Sequence, residues 1–128
     1  MRPTSEKEIQ SVLNLHGPKR FQHFIKRVVD DETVWGLWRD GWALMADDDG
    51  RQVFPLWPAQ EYADRCRTDD WSEYEPKAIP LKDLLEDLLV RFEPQNVMAG
   101  VFPTPAGKGL TVSPAELRAA IEEELERY

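Results

Sequence analysis

The chain has 128 residues, of which 41% are hydrophobic and 31% charged, and its 24 acidic against 16 basic side chains give a net charge of −8. That length fits one domain able to bury about two thirds of its unfolded surface without staples, and that composition excludes a disordered or membrane-embedded chain. The acidic balance argues against general nucleic-acid or anionic-membrane binding, because phosphate-rich surfaces repel it over most approaches.

The opening Met-Arg-Pro-Thr-Ser-Glu-Lys-Glu has no apolar core of a secretory leader, and no later apolar run approaches the ~18 residues that span a bilayer, so a cytoplasmic protein is expected. Ser5 with Glu8 three residues on is a capping-box signal, and Ile9, Val12 and Leu13 make the buried stripe of the helix it starts. Gly17-Pro18 begins a second helix with Phe21, Phe24, Ile25 and Val28 inward and Lys19, Arg20, His23, Lys26 and Arg27 on the opposite, solvated side. Residues 1–31 therefore read as a helical hairpin, with sheet and helices over 33–128, all in a single domain. Charge is segregated in the same way. Residues 1–29 hold six Lys/Arg against Glu6 and Glu8, which leaves a net −12 on the rest.

Strand chemistry starts at Thr33. Four of the five tryptophans fall between Trp35 and Pro58, and each buried indole removes roughly 150–250 Å² from water, about 4–6 kcal/mol before ordering entropy. Val34 to Trp38, the turn pair Asp40-Gly41 and Trp42 to Ala46 predict a hairpin with a type I′ turn, in which Arg39 opposes Trp42, Leu37 opposes Leu44 and Trp35 opposes Ala46. Asp49-Gly50 turns into Gln52 to Pro55 to complete a three-stranded meander, with Pro55 ending the ladder because it lacks an N–H. In this reading Trp35, Trp38 and Trp57 are core, and Trp42 is the indole nearest the surface.

Trp57-Pro58 opens a helix with Ala59, Tyr62, Ala63 and Cys66 on its buried face. Thr68 to Glu75 is a polar loop pinned by Trp71 and Tyr74, and Lys77 to Ile79 a short strand. Pro80 starts a periodic helix to Phe92, ended by Pro94, with Leu81, Leu84, Leu85, Leu88, Leu89 and Phe92 inward. Val97 to Phe102 and Leu110 to Val112 are strands of a C-terminal hairpin. Ser113-Pro114-Ala115-Glu116 opens the last helix, with Leu117, Ile121 and Leu125 inward and Glu122, Glu123, Glu124 and Glu126 in water. The fold class is α+β: a mostly antiparallel sheet of about five strands, the meander plus the C-terminal hairpin, packed by helices.

No catalytic constellation assembles from these residues. Asp47-Asp48-Asp49-Gly50 fails the calcium-loop register, since the glycine that an EF-hand wants at its sixth position puts Met45 first and Leu56 last; it reads as an acidic hairpin turn. His16, His23 and Cys66 lack metal-site spacing, so no metal or cofactor is expected. Cys66 faces inward, away from the exposure a nucleophile needs. Asp83, Glu86 and Asp87 lie on a solvated helix side. Gly107-Lys108-Gly109 lacks the rest of a phosphate loop, and reads as a hairpin connection with a solvated lysine in preference to an anion clamp at Lys108.

The meander, Phe54 to Pro58, Ile79-Pro80-Leu81, Val101-Phe102-Pro103-Thr104-Pro105 and Ser113 to Leu117, in that order, resemble the bacterial family designated domain of unknown function 2750 over nearly the whole chain. The resemblance implies a small cytosolic bacterial domain with no established activity, so it carries over no catalytic residues. At the level of fold alone the order is similar to the SseB-like domains, which implies an α+β interaction module.

The expectation is a noncatalytic protein-binding or regulatory module, monomeric or a weak homodimer, with an unidentified protein partner and neither nucleic acid nor membrane. One version is an immunity or antitoxin protein masking a basic toxin. Candidate contacts are the basic face Lys19, Arg20, His23, Lys26 and Arg27, and the aromatic and Arg anchors Arg39, Trp42, Trp71 and Tyr74. The competing expectation is a small-molecule binder or minor enzyme, its pocket lying between the meander and the Phe102 to Lys108 loop, lined by Trp and Pro, with Thr104 and Lys108 at the loop.

Overall fold

The computed structural model describes residues 4–105, 107 and 109–127. Helix α1 (Glu6–Leu13) is capped by the Ser5 hydroxyl, which accepts from the Glu8 N–H at 3.1 Å. Helix α2 (Gly17–Asp31) follows and ends at Glu32, whose φ of 52° is the left-handed conformation that closes a helix.

Strand β1 (Thr33–Trp38) does not continue into the expected meander. Its antiparallel partner is β4 (Glu75–Pro80), paired from Thr33 with Pro80 to Trp38 with Glu75. Towards β2 (Met45–Ala46) only a Trp38–Trp42 bridge forms, one residue out of the expected register. A type I′ turn needs positive φ at both central residues, and here Asp40 has it (φ 57°) while Gly41 does not. The connection is therefore Arg39-Asp40-Gly41, and the slip puts Trp38 and Trp42 on the same face.

The two prolines of β4 suit its place. The Leu81 N–H donates to Glu32, so alternation along the strand points the ring nitrogens of Pro76 and Pro80 away from β1, to the free edge where no donor is required.

Strand β3 (Gln52–Leu56) pairs antiparallel with β2 and parallel with β5 (Met98–Val101), which pairs antiparallel with β6 (Leu110–Val112). One parallel pair thus enters an otherwise antiparallel arrangement of two and four strands. Trp35 and Trp57 exchange both backbone hydrogen bonds, at 2.9 and 2.8 Å, and join β1 to the end of β3. Pro55 does not end the ladder. It faces the edge of β3 between the β2 pairing at Val53 and the β1 pairing at Trp57, where no neighbour calls for its missing N–H.

Helix α3 (Gln60–Asp64) starts two residues later than Pro58, because Trp57 is still strand-paired. The buried stripe Ala59, Tyr62, Ala63 and Cys66 is as read. A 3-10 turn (Asp69–Trp71) leads to β4. The Leu-rich helix is continuous over residues 81–95 as α4 (Leu81–Asp83), a π segment (Leu84–Leu88) and α5 (Leu89–Gln95), and it contains Pro94 rather than stopping at it; Asn96 closes it with φ 56°. The guanidinium of Arg118 donates to the Leu85 carbonyl within the π segment.

In α6 (Pro114–Leu125) the full capping box of Ser113 and Glu116 is present. Leu117, Ile121 and Glu124 face inward, whereas Leu125 is 39% exposed. Steps of four residues drift about 40° each, so a 117–121–125 stripe leaves the face and position 124 takes its place. Glu124 is buried against Arg127, at 2.8 Å. Helix α6 packs between α2 and α5 and against β5, while α3 covers β1 and β4. Trp57, Phe24, Phe54, Leu84, Phe102 and Ile121 are among the fully buried residues between these layers. No described helix is long and apolar enough to cross a membrane.

Candidate functional site

A cleft of about 910 Å³ lies between the β2–β3 hairpin, the 3-10 turn and the Pro103–Gly107 turn. This is the region between the 42–55 strands and the Phe102 loop to which the sequence pointed. Leu44, Met45 and Ala46 line one wall, Thr68, Asp69, Asp70 and Trp71 a second, and Pro103, Thr104, Pro105 and Gly107 a third; Gln52 and Cys66 complete it.

Each wall is fixed from beneath. Trp71 packs edge-on to the buried Trp57, with ring centroids 6.0 Å apart and planes at 90°. The Pro103 carbonyl accepts twice, from Trp57 Nε1 at 2.8 Å and from Cys66 Sγ at 3.4 Å. Phe102, just before it, is fully buried with φ 60°, a left-handed conformation that costs a bulky residue of order 1–3 kcal/mol. The Phe102 N–H donates to Leu56 at 2.8 Å, and its ring meets Tyr62 at 4.8 Å. These contacts hold the strained residue and aim the proline turn at the cleft. Thr104 and Gly107 close that turn with mutual backbone bonds of 2.8 and 3.1 Å. Burial pushes the Cys66 thiol up to about 11, so it is no thiolate near neutrality.

The candidate residues divide sharply. Thr104 and Trp71 line the cleft; Lys108 lies outside the described residues. Tyr74 is half-buried and its carbonyl accepts from the Arg67 guanidinium. Arg39 is exposed and pairs with Glu73. Trp42 is half-buried, packed against Trp38 at 4.9 Å and 79°, with Lys77 Nζ 3.9 Å from the Trp38 centroid and 5.6 Å from that of Trp42. Trp38 is thus half-buried rather than core.

The solvated basic face expected of α2 does not form. Arg27 is 5% exposed, bonded to Thr4 Oγ1 at 2.9 Å, Glu8 at 3.0 Å and Asp31 at 2.9 Å. Arg20 donates to the Leu15 carbonyl at 2.7 Å and lies over Phe102, and His23 is half-buried near the same ring. Only Lys19 and Lys26 of the set are exposed. The reason is α1, which brings Glu8 and Thr4 onto that side of α2.

The acidic turn is organised by Asp47, whose carboxylate accepts from the Arg51 N–H at 2.8 Å, the Asp49 N–H at 3.0 Å and the Arg51 guanidinium at 2.7 Å. Burial pushes its carboxyl up, but the Arg51 backbone and guanidinium outweigh this and hold it below the ordinary range. Among the described residues no group of three His, Cys, Asp or Glu side chains is arranged to hold a metal ion. The sequence reading missed Leu44, Ala46 and the Thr68-Asp69-Asp70 wall; the polar run before Trp71 was the available signal.

No curated protein and no solved structure shows significant similarity to this chain. The family model described as "Protein of unknown function (DUF2750)" matches residues 21–121, which takes in every wall of the cleft and leaves out α1. The chain belongs to the DUF2750 family.

Proposed function

We propose that this domain is a noncatalytic binding module of the bacterial cytoplasm and that the cleft beside Trp71 and Thr104 is where it binds. The observation that carries this reading is the construction of the cleft. Three separate parts of the chain converge on it, and one wall follows a strained, fully buried Phe102 packed on Tyr62, with the next carbonyl, that of Pro103, held by Trp57 and Cys66. Strain kept in place by surrounding packing is typical of segments that present a binding surface. The one thiol in the wall is held protonated and occupied by a carbonyl, which favours binding over nucleophilic chemistry. With Arg27 buried, α2 presents only Lys19 and Lys26 of its basic set to solvent and makes a weaker docking face.

The test is a thermal-shift screen of short peptides and metabolites, run on the wild type and on Thr104→Trp, which places an indole in the cleft beside Trp71. A ligand at a hundred times its Kd stabilises by about 2.7 kcal/mol. Stabilisation of the wild type that the variant loses supports the reading; ligands that stabilise both equally place binding elsewhere.

A further inference from the structure

Resting on the cleft as the binding site, we infer that its occupant is an extended segment of a partner polypeptide carrying lysine or arginine, laid along the free edge of β2. Three consecutive residues, Leu44, Met45 and Ala46, line the cleft. Successive side chains of a strand point to opposite faces, so what borders the cleft is the edge of the strand itself. The Asp47 N–H donates to the Arg51 carbonyl, and Met45 opposes Val53. Alternation then directs the N–H and C=O of Ala46 away from β3, towards open space, and β2 is the outermost strand of its sheet. The outer edge of β4 is blunted by Pro76 and Pro80, whereas this one offers a donor and an acceptor to an added strand.

Charge selects the sequence of that strand. Across the cleft from the edge stand the exposed carboxylates of Asp69 and Asp70, beside the half-exposed indole of Trp71 and the Thr68 hydroxyl. No cationic side chain is among the described lining residues. A guanidinium or ammonium reaching from an added strand meets two carboxylates and an indole surface, and Leu44, 42% exposed, meets an apolar neighbour in the same segment. A second copy of this acidic chain fits less well, since it would bring like charges together.

The test uses the intact protein and a fluorescein-labelled peptide of alternating valine and arginine, followed by anisotropy, with its valine–glutamate counterpart as comparison. The arginine peptide is expected to bind and the glutamate peptide not. Asp69→Asn with Asp70→Asn should weaken binding by roughly tenfold, as should raising ionic strength from about 0.05 to about 0.5 M. Ala46→Pro removes only the outward N–H, keeps the β2–β3 pairing and should also weaken binding. Equal affinity for both peptides, or wild-type affinity in Ala46→Pro, overturns the inference while leaving the cleft as a binding site. Dimerisation that competes with the peptide assigns the edge to a second copy and overturns it too. Failure of every peptide, together with metabolite hits that Thr104→Trp abolishes, rejects the peptide and keeps the cleft; failure of all ligands rejects both.

Discussion

The main chain of Gly109 runs directly against that of Phe102: a Cβ on Gly109 would lie 2.9 Å from the Phe102 carbonyl carbon and 2.5 Å from the Val101 oxygen. Gly109 has φ +78°, so both the space and the backbone conformation require glycine. Gly109→Ala is expected to destabilise by about 2–4 kcal/mol, combining backbone strain with a clash that no flexible side chain can relieve. Gly107→Ala, whose Cβ would meet nothing within 4 Å, should stay within about 0.5 kcal/mol. Urea unfolding of the two variants checks the pair.

Arg27 is the second fixed point. Arg27→Met keeps an unbranched stem, removes the guanidinium and leaves Asp31 and Glu8 facing a buried, uncharged neighbour, with side-chain exposures of 8% and 26%. A loss of about 3 kcal/mol is expected from stranding buried charge, against less than about 0.5 kcal/mol for Lys26→Met on the exposed side. Because Thr4 and Glu8 both reach Arg27, limited proteolysis should cut ahead of α2 sooner in Arg27→Met than in the wild type.

The Trp38–Trp42 corner depends on Gly36. A Cβ there would sit 3.0 Å from the Trp42 ring, so in Gly36→Ala the indole must give by a few tenths of an ångström. The two rings, 4.9 Å apart, should give an exciton-coupled circular dichroism band. Trp42→Phe should abolish that band and Gly36→Ala should reduce it, whereas Trp71→Phe should leave it intact.

Cys66 predicts an alkaline effect with a defined sign. Burial raises its thiol to about 11 in the folded protein, above the about 8.5 of an unfolded chain. The contribution is therefore fully present below pH ~8.5 and is lost as pH rises from there towards about 11. The dependence of unfolding free energy on pH in that window should be shallower in Cys66→Ala. Alkylation of the native thiol near neutrality should be slow, and fast once urea unfolds the chain.

Local signals in the sequence carried the helices well. The Ser5 and Ser113 caps, the stripes of α2 and α3 and the Leu-rich helix all stand close to where periodicity put them. Long-range choices were harder to read. Nothing adjacent to β1 says that its partner is Glu75–Pro80, about forty residues on, and two prolines four positions apart hide a strand in which both ring nitrogens point outward. Arg27 looked solvated because a helix read alone does not show that Glu8 folds back onto it. The cleft was legible as a place, from the Phe102-Pro103-Thr104-Pro105 run and the nearby hairpin. Its acidic wall was not, since Asp69 and Asp70 reach it only through the packing of Trp71 on Trp57.

The measurement that most directly tests the cleft as the binding site is an amide chemical-shift map of the labelled protein titrated with the peptide and metabolite panel. Binding there predicts shifts clustered at Leu44, Ala46, Thr68, Trp71 and Thr104, with α2 unmoved. Shifts centred on Lys19 and Lys26, or on Arg39 and Trp42, with the cleft silent, would contradict the account.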